Sequence, residues 1–279
     1  MIAALFALPT GLLVGNSMRA SACGLTMATP TGMAILFDCD GVLADTERDG
    51  HRVSFNAVFK EKELGFEWGV EEYGRLCEVG GGKERMTAYM NANECWPAAC
   101  TSPTTEELTR PKGLPLDETR LAFVKECHEQ KTALFQELIA AGTVPLRPGI
   151  LRIVDEALAS DVPLAVCSTS NEAAVRTLVK VLMGPERYAK FEFFCGDAVE
   201  NKKPAPDVYN LAADTMGLDK SECLVIEDSG IGNKAAKAAG MACIVTTSTY
   251  TVDEDFTGAD RIVPELGDSI SLADLRSLL

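Results

Sequence analysis

The chain has 279 residues, long enough for one large domain or two modest ones around a sizeable core. Its 41 Asp and Glu against 26 Lys and Arg give a net charge of −15, at an ordinary charged fraction of 24%. That balance argues against nucleic acid and anionic membranes as partners, but not against an anionic small molecule, because a metal and a few local cations can invert the potential in one cleft.

Residues 1–32 differ from everything after them. They hold Arg19 and no acid. The apolar run Ile2 to Val14, interrupted by Pro9 and Gly11, is too short to span a bilayer comfortably. The Ser, Ala and Thr that follow give the composition of a targeting segment. A secretory-type apolar region is a competing reading, a bipartite leader that joins the two is a further alternative, and a disordered tail is the plain one. This segment is set outside the fold.

The next stretch, Met33 to Phe37, is apolar without alternation, which suits a strand covered on both faces of a parallel sheet. It ends abruptly in Asp38-Cys39-Asp40-Gly41. Acids at the C-terminal end of a parallel strand lie where open α/β sheets bind ligands. The same residues alone also read as an ordinary Asp-rich turn.

From Thr46 to Gly142 little resembles a strand. Helical spacing appears over Arg52 to Lys62, Glu71 to Cys77, Lys83 to Ala92 and Leu121 to Ala141. In the last, Leu121, Val124, Leu134, Leu138 and Ile139 are expected to form the apolar stripe. Prolines and threonines between Glu94 and Asp117 mark a surface loop or insertion. The block 46–142 is therefore expected as a helical unit placed between two parts of an α/β domain, 33–45 and 143–279.

Strand–helix alternation resumes near Val144. A helix over Ile150 to Ala159 precedes a strand over Val162 to Cys167, and a helix from Glu172 to about Met183 precedes a strand over Phe191 to Cys195. Pro206 opens a helix reaching Met216. Then come a strand over Cys223 to Ile226, a helix over Ile231 to Ala239 closed by Gly240, a strand over Ala242 to Val245, and a final short strand and helix within Arg261 to Leu279. Repeated βα units imply an α/β fold with a doubly wound parallel sheet. The ten cysteines lie mostly in or beside apolar runs, without CxxC pairs, and suit a reducing compartment.

Polar groups gather at four strand ends: Asp38 and Asp40, Ser168, Lys203, and Glu227 with Asp228. A parallel sheet brings them to one edge. Carboxylates from two strands make a hard oxygen site for Mg²⁺. A lysine, a hydroxyl and helix-opening amides suit phosphate oxygens. Singly, each has a plain reading: a helix cap for Ser168, a surface lysine for Lys203, an Asx-turn for Glu227-Asp228. Together they describe a phosphoryl-transfer site with a carboxylate nucleophile.

The series Asp38-x-Asp40-Gly41-Val42-Leu43-x-Asp45-Thr46, Ser168, Lys203-Pro204-x-Pro206 and Glu227-Asp228-Ser229-x-x-Gly232 resembles the motifs of the haloacid dehalogenase-like phosphatases, from about Met33 to the C-terminal region. The segments Asp45 to Arg52, Gly80 to Met86 and Val166 to Glu172 are similar to the CbbY-like proteins of photosynthetic organisms. The resemblance implies a core of Rossmann type carrying a helical cap, and hydrolysis of xylulose-1,5-bisphosphate, an inhibitor of Rubisco, in a plastid stroma (cytoplasmic if the leader is not native). It implies Asp38 as nucleophile and Asp40 as acid and base. Mg²⁺ would be held by Asp38, the Asp40 carbonyl and Asp228, with Glu227 close by or acting through water. Ser168 and Lys203 would hold phosphoryl oxygens.

Glu47 and His51 are candidates for sugar hydroxyls, with an exposed helix residue as the plain alternative for His51, and Lys83, Arg85 and Arg147 are candidates for a second phosphate. Gly81, Gly82, Thr169, Ser170 and Asn171 complete the expected substrate-binding set. The expected partner is a small sugar phosphate or bisphosphate, and the chain is expected to be a monomer. A phosphosugar mutase shares every core residue. Asp40 argues against a dehalogenase, which has no leaving oxygen to protonate. A non-catalytic phosphosugar-binding protein gains no support from intact acid and lysine positions.

Overall fold

The computed structural model describes residues 32–77, 79, 81–100 and 118–279. The expected leader and most of the Pro-rich stretch lie outside the described residues. Strands β1 (Ala34–Phe37), β2 (Leu164–Ser168), β3 (Phe191–Cys195), β4 (Cys223–Glu227), β5 (Ala242–Thr246) and β6 (Arg261–Val263) pair in parallel, in the order β3-β2-β1-β4-β5-β6. Between β1 and β2 lie α1 (Arg52–Glu61), α2 (Val70–Cys77), α3 (Gly82–Ala92), α4 (Glu118–Ala140) and α5 (Ile150–Ala159). Then α6 (Glu172–Tyr188) joins β2 to β3, α7 (Asp207–Met216) joins β3 to β4, α8 (Gly230–Ala238) joins β4 to β5, and α9 (Leu272–Arg276) follows β6.

Period-two alternation sends β1 side chains to two cores. Ile35 and Phe37 pack with α5, α6 and α9 through residues such as Ile153, Leu178 and Leu275. Ala34 and Leu36 pack with α7 and α8, where Ala212, Ala213, Ala235 and Ala236 let the helices approach closely. Every residue of β1, β2 and β4 is buried, which is why these runs carry no polar alternation. The chain reverses its direction of growth across the sheet at β1 and β4, so a crevice opens beyond their C-terminal ends. Phe37 pairs with Ile226 on one side and Val166 on the other, which sets Asp38 level with Glu227 and Cys167.

Helices α1 to α4 enclose a third cluster built from Phe55, Val58, Phe59, Trp68, Tyr73, Met86, Met90, Val124 and Cys127. Its stripe on α4 differs from the expected one. Val124, Cys127, Lys131, Phe135 and Ile139 are buried, whereas Leu121 is 52% exposed. From Cys127 onward the spacing is a constant four residues, which turns the row about 40° per step, so Leu134 and Leu138 fall off it, while Leu121 stands in the first turn of the helix. The row also crosses between units, because Phe135 and Ile139 belong to the sheet's core. Ala44 and Leu146, on the segments entering and leaving the helical block, form an antiparallel bridge. The two connections are thus held side by side as a hinge.

Three boundaries differ from expectation for local reasons. β2 starts at Leu164, after Pro163, which has no amide hydrogen for a ladder. α8 starts at Gly230 because the Ser229 side chain accepts from Gly232 N and caps the helix. α6 breaks at Gly184 (φ 79°, ψ 161°) before Pro185 and then continues to Tyr188. No helix among the described residues is long and apolar enough to cross a membrane.

Candidate active site

The end of β1 delivers Asp38 into a nearly closed setting, 7% exposed. Lys203 comes from the loop after β3 and donates to Asp38 Oδ1 (2.5 Å), Glu227 Oε1 (2.6 Å) and the Cys167 carbonyl (3.0 Å). All three lysine protons are thereby used, and the side chain is 4% exposed. Burial alone would lower its pKa, but Asp38 and Glu227 raise it, so the ammonium stays charged. Burial pushes Asp38 up to about 7, with Lys203 opposing and Glu227 adding to the rise. Asp228 is driven well upward by burial and by Glu227 and Asp38.

The carboxylates of Asp38, Glu227 and Asp228 lie within 4.8 Å of one another. Three buried acids against one lysine leave negative charge uncompensated in a poorly solvated site, a state that fits a divalent cation of the Mg²⁺ class. The acids do not offer equal access. Glu227 Oε1 accepts from Lys203 and from the Tyr209 hydroxyl (2.6 Å). Its Oε2 accepts from Asp228 N (3.1 Å), Ser229 N (3.4 Å) and Ser229 Oγ (3.2 Å). That carboxylate is saturated by protein donors, so of the three, Asp38 and Asp228 are the better metal ligands and Glu227 is an anchor for Lys203. Gly41 (φ 84°) leaves room for this packing, since a Cβ there would lie 1.9 Å from Asp228 Oδ2. A Cβ on Gly232 would likewise lie 1.9 Å from the Glu227 carboxyl carbon.

Asp40 is aimed by two hydroxyls. Thr46 Oγ1 donates to its Oδ1 (2.6 Å) and Ser170 Oγ to its Oδ2 (2.5 Å). Thr46 belongs to the hinge and Ser170 to the loop after β2, so Asp40 touches both. Ser168 is buried and accepts from Ser170 N (3.1 Å). It does not cap α6; Asn171 does, its side chain accepting from Ala174 N. Asn171 and Thr169 are exposed.

On the helical side, a π-helical turn at Glu47–His51 precedes α1. Glu47 Oε2 accepts from the Tyr73 hydroxyl (2.6 Å) and from Arg85 Nη1 (3.3 Å), while Arg85 also donates to the Tyr73 oxygen (2.5 Å). Arg85 is buried, and its Nε has no partner among the described residues. His51 lies against the Phe135 ring, and its Nδ1 is 2.7 Å from Lys131 Nζ. Burial and then Lys131 lower the histidine to about 3, so the neutral imidazole accepts from the lysine and carries its own proton on Nε2. Burial brings Lys131 down to about 8 against the pull of Glu47, and its ammonium sits between the Phe55 and Phe135 rings. Gly81 (φ 92°) precedes α3, and Gly82 lies beneath Phe55 and His128, where a Cβ would come within 3.0 Å of both. Lys83 is exposed in the first turn of α3.

Arg147 stands apart from the expectation that it meets a second phosphate. Its guanidinium donates to the carbonyls of Gly41, Thr246 (2.8 Å), Thr247 (2.8 Å) and Pro264 (2.6 Å), and to Thr246 Oγ1 (3.2 Å). With both Nη groups engaged by these acceptors, it braces the Gly41 turn against the ends of β5 and β6. Sequence reasoning also missed Tyr73, Tyr209 and Lys131. A signal existed for Lys131, because a lysine within the row Val124, Cys127, Phe135, Ile139 has to be buried if the row is. For Tyr209 the available cue was its place in the first turn of α7, shortly after Lys203, on a helix that packs against the sheet.

A family model described as haloacid dehalogenase-like hydrolase matches residues 33–240. A CBBY-like protein of Arabidopsis thaliana is 53% identical over 236 residues, covering 84% of this chain and 69% of that one. A plasmid-encoded CbbY protein of Cupriavidus necator is 38% identical over 236 residues, covering 84% and 86%. The crystal structure of a CbbY mutant from Rhodobacter sphaeroides in complex with xylulose-(1,5)bisphosphate is similar with TM-score 0.66 and 34% identity, covering 88% of this chain and 99% of that one.

Proposed function

This chain belongs to the haloacid dehalogenase-like hydrolases, and within them to the CbbY-like phosphatases of sugar phosphates; from that membership we propose that it hydrolyses xylulose-1,5-bisphosphate to xylulose 5-phosphate through an aspartyl-phosphate intermediate. The observation that carries the mechanism is Asp38 paired with Lys203 among three buried carboxylates, with Asp40 two residues further on.

In the first step a carboxylate oxygen of Asp38 attacks phosphorus in line, the bond from phosphorus to the sugar oxygen breaks, and Asp40 gives that oxygen its proton. In the second step Asp40 takes a proton from water, the resulting hydroxide attacks phosphorus, and inorganic phosphate leaves as the Asp38 carboxylate is restored. The Asp38 and Asp228 carboxylates and the Asp40 backbone carbonyl would hold Mg²⁺, which would supply the positive charge that favours the ionised acids and screens the phosphoryl oxygens. Lys203, exchanging its contact with Asp38 for a phosphoryl oxygen once that carboxylate attacks, and Ser168 hold the transferring phosphoryl group, and Glu227 fixes Lys203. Thr46 and Ser170 orient Asp40 between its two tasks.

Recognition of the remaining sugar falls to the helical cap, residues 46–142. Glu47 and His51 meet hydroxyls, and Arg85 and Lys131 provide buried positive charge for the second phosphate, with Lys83 and the Gly81-Gly82 turn at its rim. Ser170, with Thr169 and Asn171, borders the site from the core. Arg147 has no part in substrate binding. Removal of a Rubisco inhibitor in the plastid stroma, after removal of an N-terminal leader, is the physiological role this reading gives.

The test is a phosphate-release screen of purified protein with and without Mg²⁺, against sugar mono- and bisphosphates and a small aryl phosphate. Preference for xylulose-1,5-bisphosphate with release of one equivalent of phosphate, dependent on Mg²⁺, is expected. Isomerised sugar phosphate without free phosphate would make the chain a mutase instead.

A further inference from the structure

One aromatic ring of the sheet domain reaches into the helical cap and has no place in the mechanism above. The turn after β5 is fastened to the hinge: Thr249 donates to Asp45 Oδ2 from its amide (3.3 Å) and its hydroxyl (2.5 Å), and Arg48 Nη1 donates to Thr249 Oγ1 (3.2 Å). Within the turn Thr251 N donates to the Ser248 carbonyl (3.3 Å) and Ser248 N to Thr251 Oγ1 (2.9 Å). Tyr250 lies inside this braced segment.

Its ring packs on the apolar cluster of the cap, 5.7 Å from the ring of Tyr73. The opposing helix makes room for it. A Cβ on Gly74 would lie 2.9 Å from Tyr250 Cδ1 and 3.2 Å from Cε1. A glycine within a helix costs stability relative to alanine, and here it admits a ring from the other unit. The Tyr250 hydroxyl is buried with no hydrogen-bond partner among the described residues, so the contact is made by the ring. Tyr73, which precedes Gly74 on α2, carries the hydrogen bonds to Glu47 and Arg85.

We propose that Tyr250 is a positioning residue for specificity: a post on the sheet domain against which α2 seats, fixing the Tyr73–Glu47–Arg85 chain over the substrate. The assignment rests on the bisphosphatase reading and adds to it a determinant outside the cap. Residues of the cap alone do not then set the choice of sugar; the turn after β5 shares it.

The experiment uses the full chain and the variants Tyr250→Ala, Tyr250→Phe and Gly74→Ala. Two quantities are measured: the ratio of KM for xylulose-1,5-bisphosphate to KM for a small aryl phosphate, and deuterium uptake across 70–77. Tyr250→Ala should raise the KM ratio about tenfold, the scale of losing one aromatic pair and its packing, and speed exchange in α2. Gly74→Ala should act in the same direction by wedging the ring out. Tyr250→Phe should stay within about twofold of the wild-type ratio, because the hydroxyl makes no bond. Unchanged α2 exchange in Tyr250→Ala overturns the proposal, as does an equal KM rise for both substrates or a phenylalanine variant as impaired as the alanine one. If the wild type ignores every sugar bisphosphate, the proposed substrate fails, and the exchange measurement still decides whether Tyr250 seats α2.

Discussion

Lys131 offers a test in which stability and function pull in opposite directions. It is 7% exposed, lies between two phenylalanine rings and donates to a neutral histidine. Burial lowers its pKa from 10.5 to about 8. A lysine whose folded pKa is depressed destabilises the fold below that pKa, and stability rises with pH between the folded and unfolded values, because the unfolded chain there binds the extra proton. The gap corresponds to a penalty of about 3 kcal/mol at pH 7, falling to about 2 kcal/mol at pH 9. Replacing Lys131 with Met removes the penalty and keeps most of the volume, but leaves the His51 nitrogen without its donor at a cost of about 1–3 kcal/mol. Lys131→Met should therefore be equal to the wild type or up to about 2 kcal/mol more stable at pH 7, with the difference shifting toward the wild type by about 1 kcal/mol at pH 9. Urea unfolding of both proteins at the two pH values measures this. The same variant should raise KM for a sugar bisphosphate far more than for an aryl phosphate. A stability difference independent of pH would refute the buried-charge reasoning, and an unchanged KM would remove Lys131 from substrate recognition.

Other residues give separate outcomes. Tyr209→Phe keeps the ring beside Lys203 and removes one hydrogen bond to a charged carboxylate, so kcat should fall about tenfold, with Tm moving by only a few degrees; a loss in Tm without a loss in kcat would leave Tyr209 purely structural. Arg147→Met should destabilise the fold by about 2–4 kcal/mol in urea unfolding, by leaving buried carbonyls unpaired, and should lower kcat/KM for sugar and aryl phosphates alike. A selective rise in KM for bisphosphates would instead return Arg147 to the substrate.

The sheet was legible because burial on both faces leaves unmistakable apolar runs, and because each ends in a residue too polar to continue it: Asp38, Ser168, Glu227. Their convergence followed from parallel topology. The cap's interior was far less legible. Lys131 reads as a polar interruption of α4 until the buried row is known, and the row is set by packing with α1 and the sheet's core. Arg147 precedes Pro148 and Gly149 in what reads as an ordinary entry to a helix, while its acceptors at Thr246, Thr247 and Pro264 lie about a hundred positions away. Saturation of Glu227 was equally hidden, since it takes the hydroxyl of Tyr209 from α7, the helix that leads into its own strand, a contact that only the packing of that helix on the sheet creates. Residues that act through the chain's own long-range contacts leave little trace in local pattern, whereas residues that end a strand mark themselves.

The most direct test of the central claim is acid-quench labelling of the wild type and Asp38→Asn with a sugar bisphosphate carrying labelled phosphorus. The account predicts a covalent phosphoryl label in the wild type that maps to Asp38 and is released by hydroxylamine, as an acyl phosphate should be. Asp38→Asn, still folded by circular dichroism, should show neither label nor turnover. Turnover retained by Asp38→Asn, or a label on any other residue, would contradict it.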